Sequence, residues 1–274
     1  MPPLARDHAP APSGIEPGPG TGTVGSVAEL ETSVRANSFG SVAGAYDRFR
    51  PGPPPAAVEW VLPSPAGTAV DLGAGTGALT RVLVARADRV IAVEPDVRML
   101  EVLRRRSPGI PAVRSWAEQL PLHSGSVDAV TISSAWHWMD PDRSVDEAAR
   151  VLGPGGILGV IWNGADRSVD WVTELLGTRD PSPGDREQRR SRHRFELPGR
   201  APFTDLDHCT IAWTLPMTRE DLVGLAGTYS STIIMAPEER DRELARVRRG
   251  AEELVAGDVV AMPMRCRCWR AVRR

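Results

Sequence analysis

Between Val70 and Gly77 the chain reads V-D-L-G-A-G-T-G, which sets a carboxylate, Asp71, just ahead of the alternating glycines Gly73, Gly75 and Gly77. Residues without a Cβ let the backbone turn sharply out of a strand and pass close to a ligand. Ala74 and Thr76 complete this candidate loop. Its spacing is not the G-x-G-x-x-G of dinucleotide sites, where a pyrophosphate rests on the helix N-terminus. A carboxylate at position 71 would repel a pyrophosphate and suits a ligand carrying a cationic amine. Glu94, followed by Pro95, closes the next β-branched stretch. A carboxylate at a strand end can accept hydrogen bonds from ribose hydroxyls. A third group lies in S-S-A-W-H-W-M-D, residues 133–140. Its imidazole, His137, suits general base chemistry near neutral pH. Trp136 and Trp138 offer an apolar wall with an N–H donor.

These residues need a scaffold, and the chain alternates strands with helices around them. That is the pattern of an α/β fold, a parallel sheet covered on both faces. Strands are expected at 69–72, 89–93, 112–114, 127–132 and 157–162, with the glycine loop and Glu94 at the ends of the first two. Helices are expected at 38–49, with Phe39, Val42, Tyr46 and Phe49 at helical spacing, and at 56–62. Leu79, Val82 and Leu83 mark another helix after the glycines. One at 97–105 is capped by Asp96 and turns Val97, Leu100 and Leu103 inward, and one ending at Leu152 is capped by Asp142. Asp128, opening the fourth strand, is expected to order the glycine loop. The last third is less regular. Helical pieces fall at 169–176, 219–228 and 237–249, and strands at 208–215 and 262–272.

The D-x-G-x-G-x-G run resembles motif I of the class I S-adenosylmethionine-dependent methyltransferases, and the L-x-P-G-G turn at 152–156 is similar to theirs. Y-D-R-F-R at 46–50 is similar to the Y-D-x-x-R element of trans-aconitate-type and related small-molecule members. The resemblance implies a doubly wound, mostly parallel seven-stranded sheet of Rossmann-like kind with one antiparallel closing strand. It implies S-adenosyl-L-methionine as cofactor, Asp71 near its amino group, and Tyr46 and Arg50 closing over it, with Arg50 paired to the carboxylate. It places adenine recognition at Trp116 and Ala117, where this chain departs from the family by carrying Trp116 in place of Asp or Asn. The backbone N–H of Ala117 remains as a donor. Ser133 and Ser134 are expected to line the cofactor edge. Segments like W-H-W occur in members that esterify carboxylic acids, which turns Trp136, His137 and Trp138 toward the acceptor. The implied reaction is methyl transfer to a carboxyl or hydroxyl oxygen of a small molecule. Three alternatives stay open: a same-fold enzyme using the bound sulfonium for cyclisation or rearrangement, an RNA methyltransferase, and a cofactor-binding regulator.

Composition narrows these. The 274 residues carry a formal charge of −2, so no overall basic field draws the chain to nucleic acid. The arginine-rich stretch at 186–194 lacks interleaved aromatics and reads as a solvated loop. All 33 basic residues are arginine, which removes lysine as a base. Cys209, Cys266 and Cys268 are odd in number without a CxxC pair, arguing against a disulfide framework or a metal site and for buried thiols. No stretch approaches a membrane span, and a signal peptide pattern is lacking, so a cytoplasmic location is expected. Residues 1–36, rich in Pro and Gly, are expected to be a disordered tail. The domain then divides into cap helices (37–66), cofactor-binding core (67–163), insertion or lid (164–202) and closing elements (203–274).

Overall fold

The computed structural model describes residues 42–177, 195–199, 201–254 and 257–274. The expected tail, Phe39 and the arginine-rich stretch lie outside the described residues. The chain begins with two short helices, α1 (Ala43–Phe49) and α2 (Pro55–Val61), then β1 (Ala66–Leu72), α3 (Thr80–Leu83), β2 (Ala87–Val93), α4 (Val97–Arg106) and β3 (Ala112–Val113). It continues with β4 (Val127–Ser133), a single 3₁₀ turn (Trp136–Trp138), α5 (Pro141–Val151), β5 (Leu152–Ala165) and α6 (Asp170–Leu176). The closing part is β6 (Asp207–Met217), α7 (Arg219–Gly227), α8 (Ser230–Ile233), α9 (Pro237–Leu254) and β7 (Val260–Val272).

The seven strands form one sheet in the order β3-β2-β1-β4-β5-β7-β6. β1 to β5 run parallel, and β7 runs antiparallel to both of its neighbours. Order reverses between β1 and β4, so the carboxyl ends of those strands flank the crevice where α/β sheets bind ligands. The glycine loop and the His137 loop both emerge there.

Local chemistry sets most boundaries. The Asp96 side chain accepts from the Arg98 amide at 2.8 Å and starts α4. Thr218 and Asp221 make a reciprocal capping box at α7. The cap of α5 is Asp140, which accepts from the Arg143 amide at 3.0 Å, while Asp142 sits in the first turn. Pro141 explains the shift, because proline favours the first helical position and the cap directly precedes it. In α4 the buried set is Met99, Leu100, Val102 and Leu103, and Val97 is exposed at the helix start. Asp128 accepts from the Thr68 amide at 2.7 Å and so ties the start of β1, at the opposite end of that strand from the glycines.

Two apolar layers sandwich the sheet. On one face, Val70, Leu72, Val130, Ile132, Leu158 and Val160 pack under α5. On the other, Ala69, Ala129 and Ile161 pack under α2 and α3. A Cβ on Gly159 would lie 2.1 Å from Val61, so α2 rests directly on β5. Cys266 and Cys268 are buried in this layer with Sγ atoms 3.9 Å apart, and burial pushes the half-buried Cys209 thiol up to about 11. Cys209 therefore remains a thiol at neutral pH. A third cluster joins α6, α7 and α9 to the ends of β6 and β7 through Leu175, Leu222, Leu225, Val247 and Met262. Full burial of each such aliphatic side chain stabilises by roughly 1.5–3 kcal/mol. These helices stand beside the carboxyl end of β6 and the start of β7.

Candidate active site

A cleft opens over the carboxyl ends of β1, β4 and β5. Gly73, Ala74, Gly75 and Thr76 form one wall, Ser133 and Ser134 a second, Asn163 to Ala165 a third, and Tyr46, Arg50 and Tyr229 the roof. All three motif glycines have positive φ (69°, 57° and 87°), the left-handed region that other residues avoid. Space adds a separate demand at two of them. A Cβ on Gly73 would lie 2.6 Å from that of Ala135, and one on Gly77 would meet Leu103 at 3.0 Å. Gly77 therefore packs the loop on α4, whereas Gly75 faces open space in the cleft.

Asp71 is completely buried, and its Oδ2 accepts from the Thr80 hydroxyl at 2.5 Å. Burial pushes its carboxyl up to about 7, against the hydrogen bonds from Thr80 that lower it. Asp71 Oδ1, Thr76 Oγ1 and Arg50 Nε are buried with no hydrogen-bond partner among the described residues, and all three residues line the cleft. Orphaned polar atoms of this kind cost free energy unless a ligand meets them. The set is one carboxylate oxygen, one hydroxyl and one guanidinium. It fits an amino-acid moiety, whose ammonium and carboxylate need opposite partners.

Glu94 already holds two backbone amides, accepting from Gly75 at 2.8 Å and Asp96 at 2.9 Å. Burial raises its pKa, opposed by those two bonds. It braces the loop from behind and keeps lone pairs for further donors, since a carboxylate offers about four acceptor sites. Pro95 accepts from Arg114 Nε at 3.2 Å. Ala117 is buried in the core, and Trp116 beside it is 65% exposed.

The roof is built from segments far apart in sequence. Arg50 lies 4.4 Å from the Tyr229 ring centroid and 5.5 Å from that of Tyr46, and donates to the Thr228 carbonyl at 3.3 Å. Asp47 pairs with Arg81 at 3.0 Å and Arg106 at 2.9 Å, and Arg81 donates to the Thr76 carbonyl, linking α1 to the glycine loop. A Cβ on Gly224 would lie 2.4 Å from the Phe49 ring, so α1 and α7 touch through that glycine.

Sequence reasoning missed Asn163. Its amide donates to the carbonyls of Pro51 and Gly52 at 3.3 and 2.9 Å, and its oxygen accepts from Trp213 Nε1 at 3.1 Å. One buried amide thus holds the cap segment and β6 against the end of β5. Its signal was a polar residue closing the apolar run I-L-G-V-I-W-N.

After β4 the chain passes through Ser134, the one non-glycine with positive φ (55°) among the described residues, and enters the 3₁₀ turn. Strained backbone of this kind gathers at ligand sites. His137 is half-buried, with its ring 4.2 Å from Trp138 and 5.0 Å from Trp162. Trp136 points the other way. It is 8% exposed and meets Phe195 edge-on at 4.8 Å in the core. Consecutive residues of a 3₁₀ turn face directions about a third of a turn apart, so the three aromatics cannot share one wall. Trp162, from β5, packs against His137 in place of Trp136.

The sheet order, the antiparallel β7 and the glycine loop at the β1 end define a class I methyltransferase fold. Residues 70–160 match the methyltransferase domain family. An uncharacterized methyltransferase of Mycobacterium tuberculosis is 44% identical over 214 residues, covering 77% of this chain and 84% of that protein. Another from Schizosaccharomyces pombe is 31% identical over 202 residues, covering 72% and 80%. A solved structure of a proposed type II methyltransferase from Anaeromyxobacter dehalogenans superposes with a TM-score of 0.61 at 26% identity, covering 82% of this chain and 98% of that one. The chain belongs to this family and is an S-adenosyl-L-methionine-dependent methyltransferase. No helix among the described residues is long and apolar enough to cross a membrane.

Proposed function

We propose that the enzyme methylates a carboxyl or hydroxyl oxygen of a small molecule, with His137 facing the acceptor. The observation that carries this reading is the half-buried imidazole of His137, set between Trp138 and Trp162 just beyond the cleft-lining Ser133 and Ser134.

S-adenosyl-L-methionine, when bound, supplies a methyl group on a sulfonium, open to in-line displacement. Asp71 Oδ1 would hold its ammonium, and Arg50 and Thr76 would hold its carboxylate. Tyr46 and Arg50 close the roof against Tyr229. Gly73, Ala74, Gly75 and Gly77 shape the loop, and Ser133 and Ser134 form the facing edge. Glu94 and Pro95 would border the ribose, with Glu94 positioned to accept from its hydroxyls. The Ala117 amide would read adenine, and Trp116 would border it. The protein's main contribution is position, which in the best intramolecular cases lowers a barrier by about 7–11 kcal/mol. With a hydroxyl acceptor, His137 takes the proton as the oxygen attacks. With a carboxylate no proton leaves, and His137 and Trp138 orient the oxygen.

The test is formation of S-adenosylhomocysteine with labelled cofactor and fractionated small acids and alcohols. With a hydroxyl substrate, His137→Ala lowers kcat by about 10²–10⁴-fold and leaves S-adenosylhomocysteine affinity unchanged. An unaltered kcat, or product formed only with RNA, refutes the reading.

A further inference from the structure

We propose that Arg267 is an anion-binding residue of the acceptor site, selecting small molecules that carry a carboxylate or phosphate beside the oxygen that is methylated. This rests on the reading of the His137 loop as the acceptor site. Arg267 stands directly opposite Trp162 in the antiparallel β5–β7 pair, so both side chains leave the same face of the sheet. Cβ atoms of such partners lie about 4.5–5.5 Å apart. The Trp162 ring in turn lies 5.0 Å from that of His137. A guanidinium rooted there reaches the imidazole's surroundings, and its planar fork matches an oxyanion in bidentate geometry.

Two further observations point the same way. Gly164, two residues beyond Trp162 on that face, lines the cofactor cleft, and a Cβ there would meet nothing within 4 Å. Gly164 therefore leaves space at the cleft edge on the sheet face that also carries Arg267. Secondly, Arg267 is half-buried, and no carboxylate pairs with it among the described residues. Its neighbour on the same face, Arg265, is satisfied by Asp166 at 3.0 Å and by the Ser168 hydroxyl at 2.9 Å. Burial and the charge of Arg265 both disfavour the Arg267 cation. A half-buried cation held beside another cation costs stability, and a ligand anion would compensate it.

The experiment is calorimetry on the S-adenosylhomocysteine-loaded full chain, titrated with succinate, glycerol 3-phosphate and neutral 1,4-butanediol. Wild type should bind at least one anion and not the diol. Whichever anion binds identifies a carboxylate or phosphate acceptor. Arg267→Gln should weaken that anion tenfold or more, and Arg267→Lys should restore part of the loss. In both variants S-adenosylhomocysteine affinity should be unchanged, and the Arg267→Gln melting temperature should equal or exceed that of wild type. Equal anion affinity in wild type and Arg267→Gln overturns the proposal, as does wild type binding neither anion while binding S-adenosylhomocysteine normally. A lower melting temperature in Arg267→Gln with unchanged anion affinity would make Arg267 structural, which also overturns it. Loss of S-adenosylhomocysteine binding in wild type would instead refute the cofactor-site assignment.

Discussion

Lowering the pH should weaken cofactor binding chiefly through Asp71, with Glu94, also raised by burial, acting in the same direction. The Asp71 carboxyl is fully buried and pushed up to about 7, while a cationic amine needs the ionised form. At pH 6 about one free site in ten carries the charge, so affinity should be about tenfold below its plateau, a loss of about 1.4 kcal/mol. Binding must then expel a proton, close to one per site at pH 6 and few at pH 8. The sign for stability is opposite. A carboxyl raised from its unfolded value favours the unliganded fold at low pH. That contribution disappears as pH rises from about 4 to about 7 and amounts to some 4 kcal/mol, on the order set by the shift. Asp71→Asn should therefore make the unliganded protein more stable at pH 8 while weakening the cofactor there and flattening its pH profile. Calorimetry in two buffers of different ionisation enthalpy measures the protons directly. No proton release at pH 6, or a profile unchanged in Asp71→Asn, would refute the assignment of Asp71 to the amine.

Other perturbations test the supports. Gly224→Ala places a methyl against the Phe49 ring; thermal denaturation should show a loss of about 1–3 kcal/mol, and cofactor affinity should fall as α1 and α7 separate. Asn163→Ala strands Trp213 Nε1 and the carbonyls of Pro51 and Gly52; about 2–3 kcal/mol should be lost in urea unfolding, with a weaker cofactor complex. Trp116→Ala, at an exposed position, should change stability by less than about 0.5 kcal/mol. It should nonetheless lower S-adenosylhomocysteine affinity and remove part of the fluorescence quench on binding, and an unaltered quench would take Trp116 out of the adenine site.

The donor side was legible because its chemistry is local. Positive φ at Gly73, Gly75 and Gly77 is demanded by consecutive backbone, so the sequence carries it in a few adjacent letters. Asp71 and Glu94 close neighbouring parallel strands, and strand periodicity is enough to bring their ends together. The misjudged details were those that depend on helix register. Asp140 displaced Asp142 as cap because Pro141 fixes where the helix begins, and Val97 turned outward when the apolar stripe of α4 centred on Leu100 and Leu103. Asp128 sits one strand length from the loop it was expected to order, a distance that only the β1–β4 register reveals.

The acceptor side is written differently. The proposed acceptor site draws on the turn after β4, the end of β5 and the middle of β7, and each contributes a residue with an ordinary local reading. W-H-W looks like one aromatic wall until the tight turn sends Trp136 into the core beside Phe195 and leaves Trp162, from another strand, against His137. Arg267 looks like a surface charge in R-C-R-C until the antiparallel register sets it across from that tryptophan. A binding surface assembled by long-range pairing leaves no contiguous motif, because each member need satisfy only its own strand's alternation. The same pairing separates the two halves of the problem physically. Asp71 and Arg267 lie on different strands and opposite sheet faces, so their substitutions should affect the amine-bearing cofactor and the anionic acceptor independently. Non-additive loss in the Asp71→Asn, Arg267→Gln double variant, measured by S-adenosylhomocysteine affinity, would show that the two sites share one ligand after all.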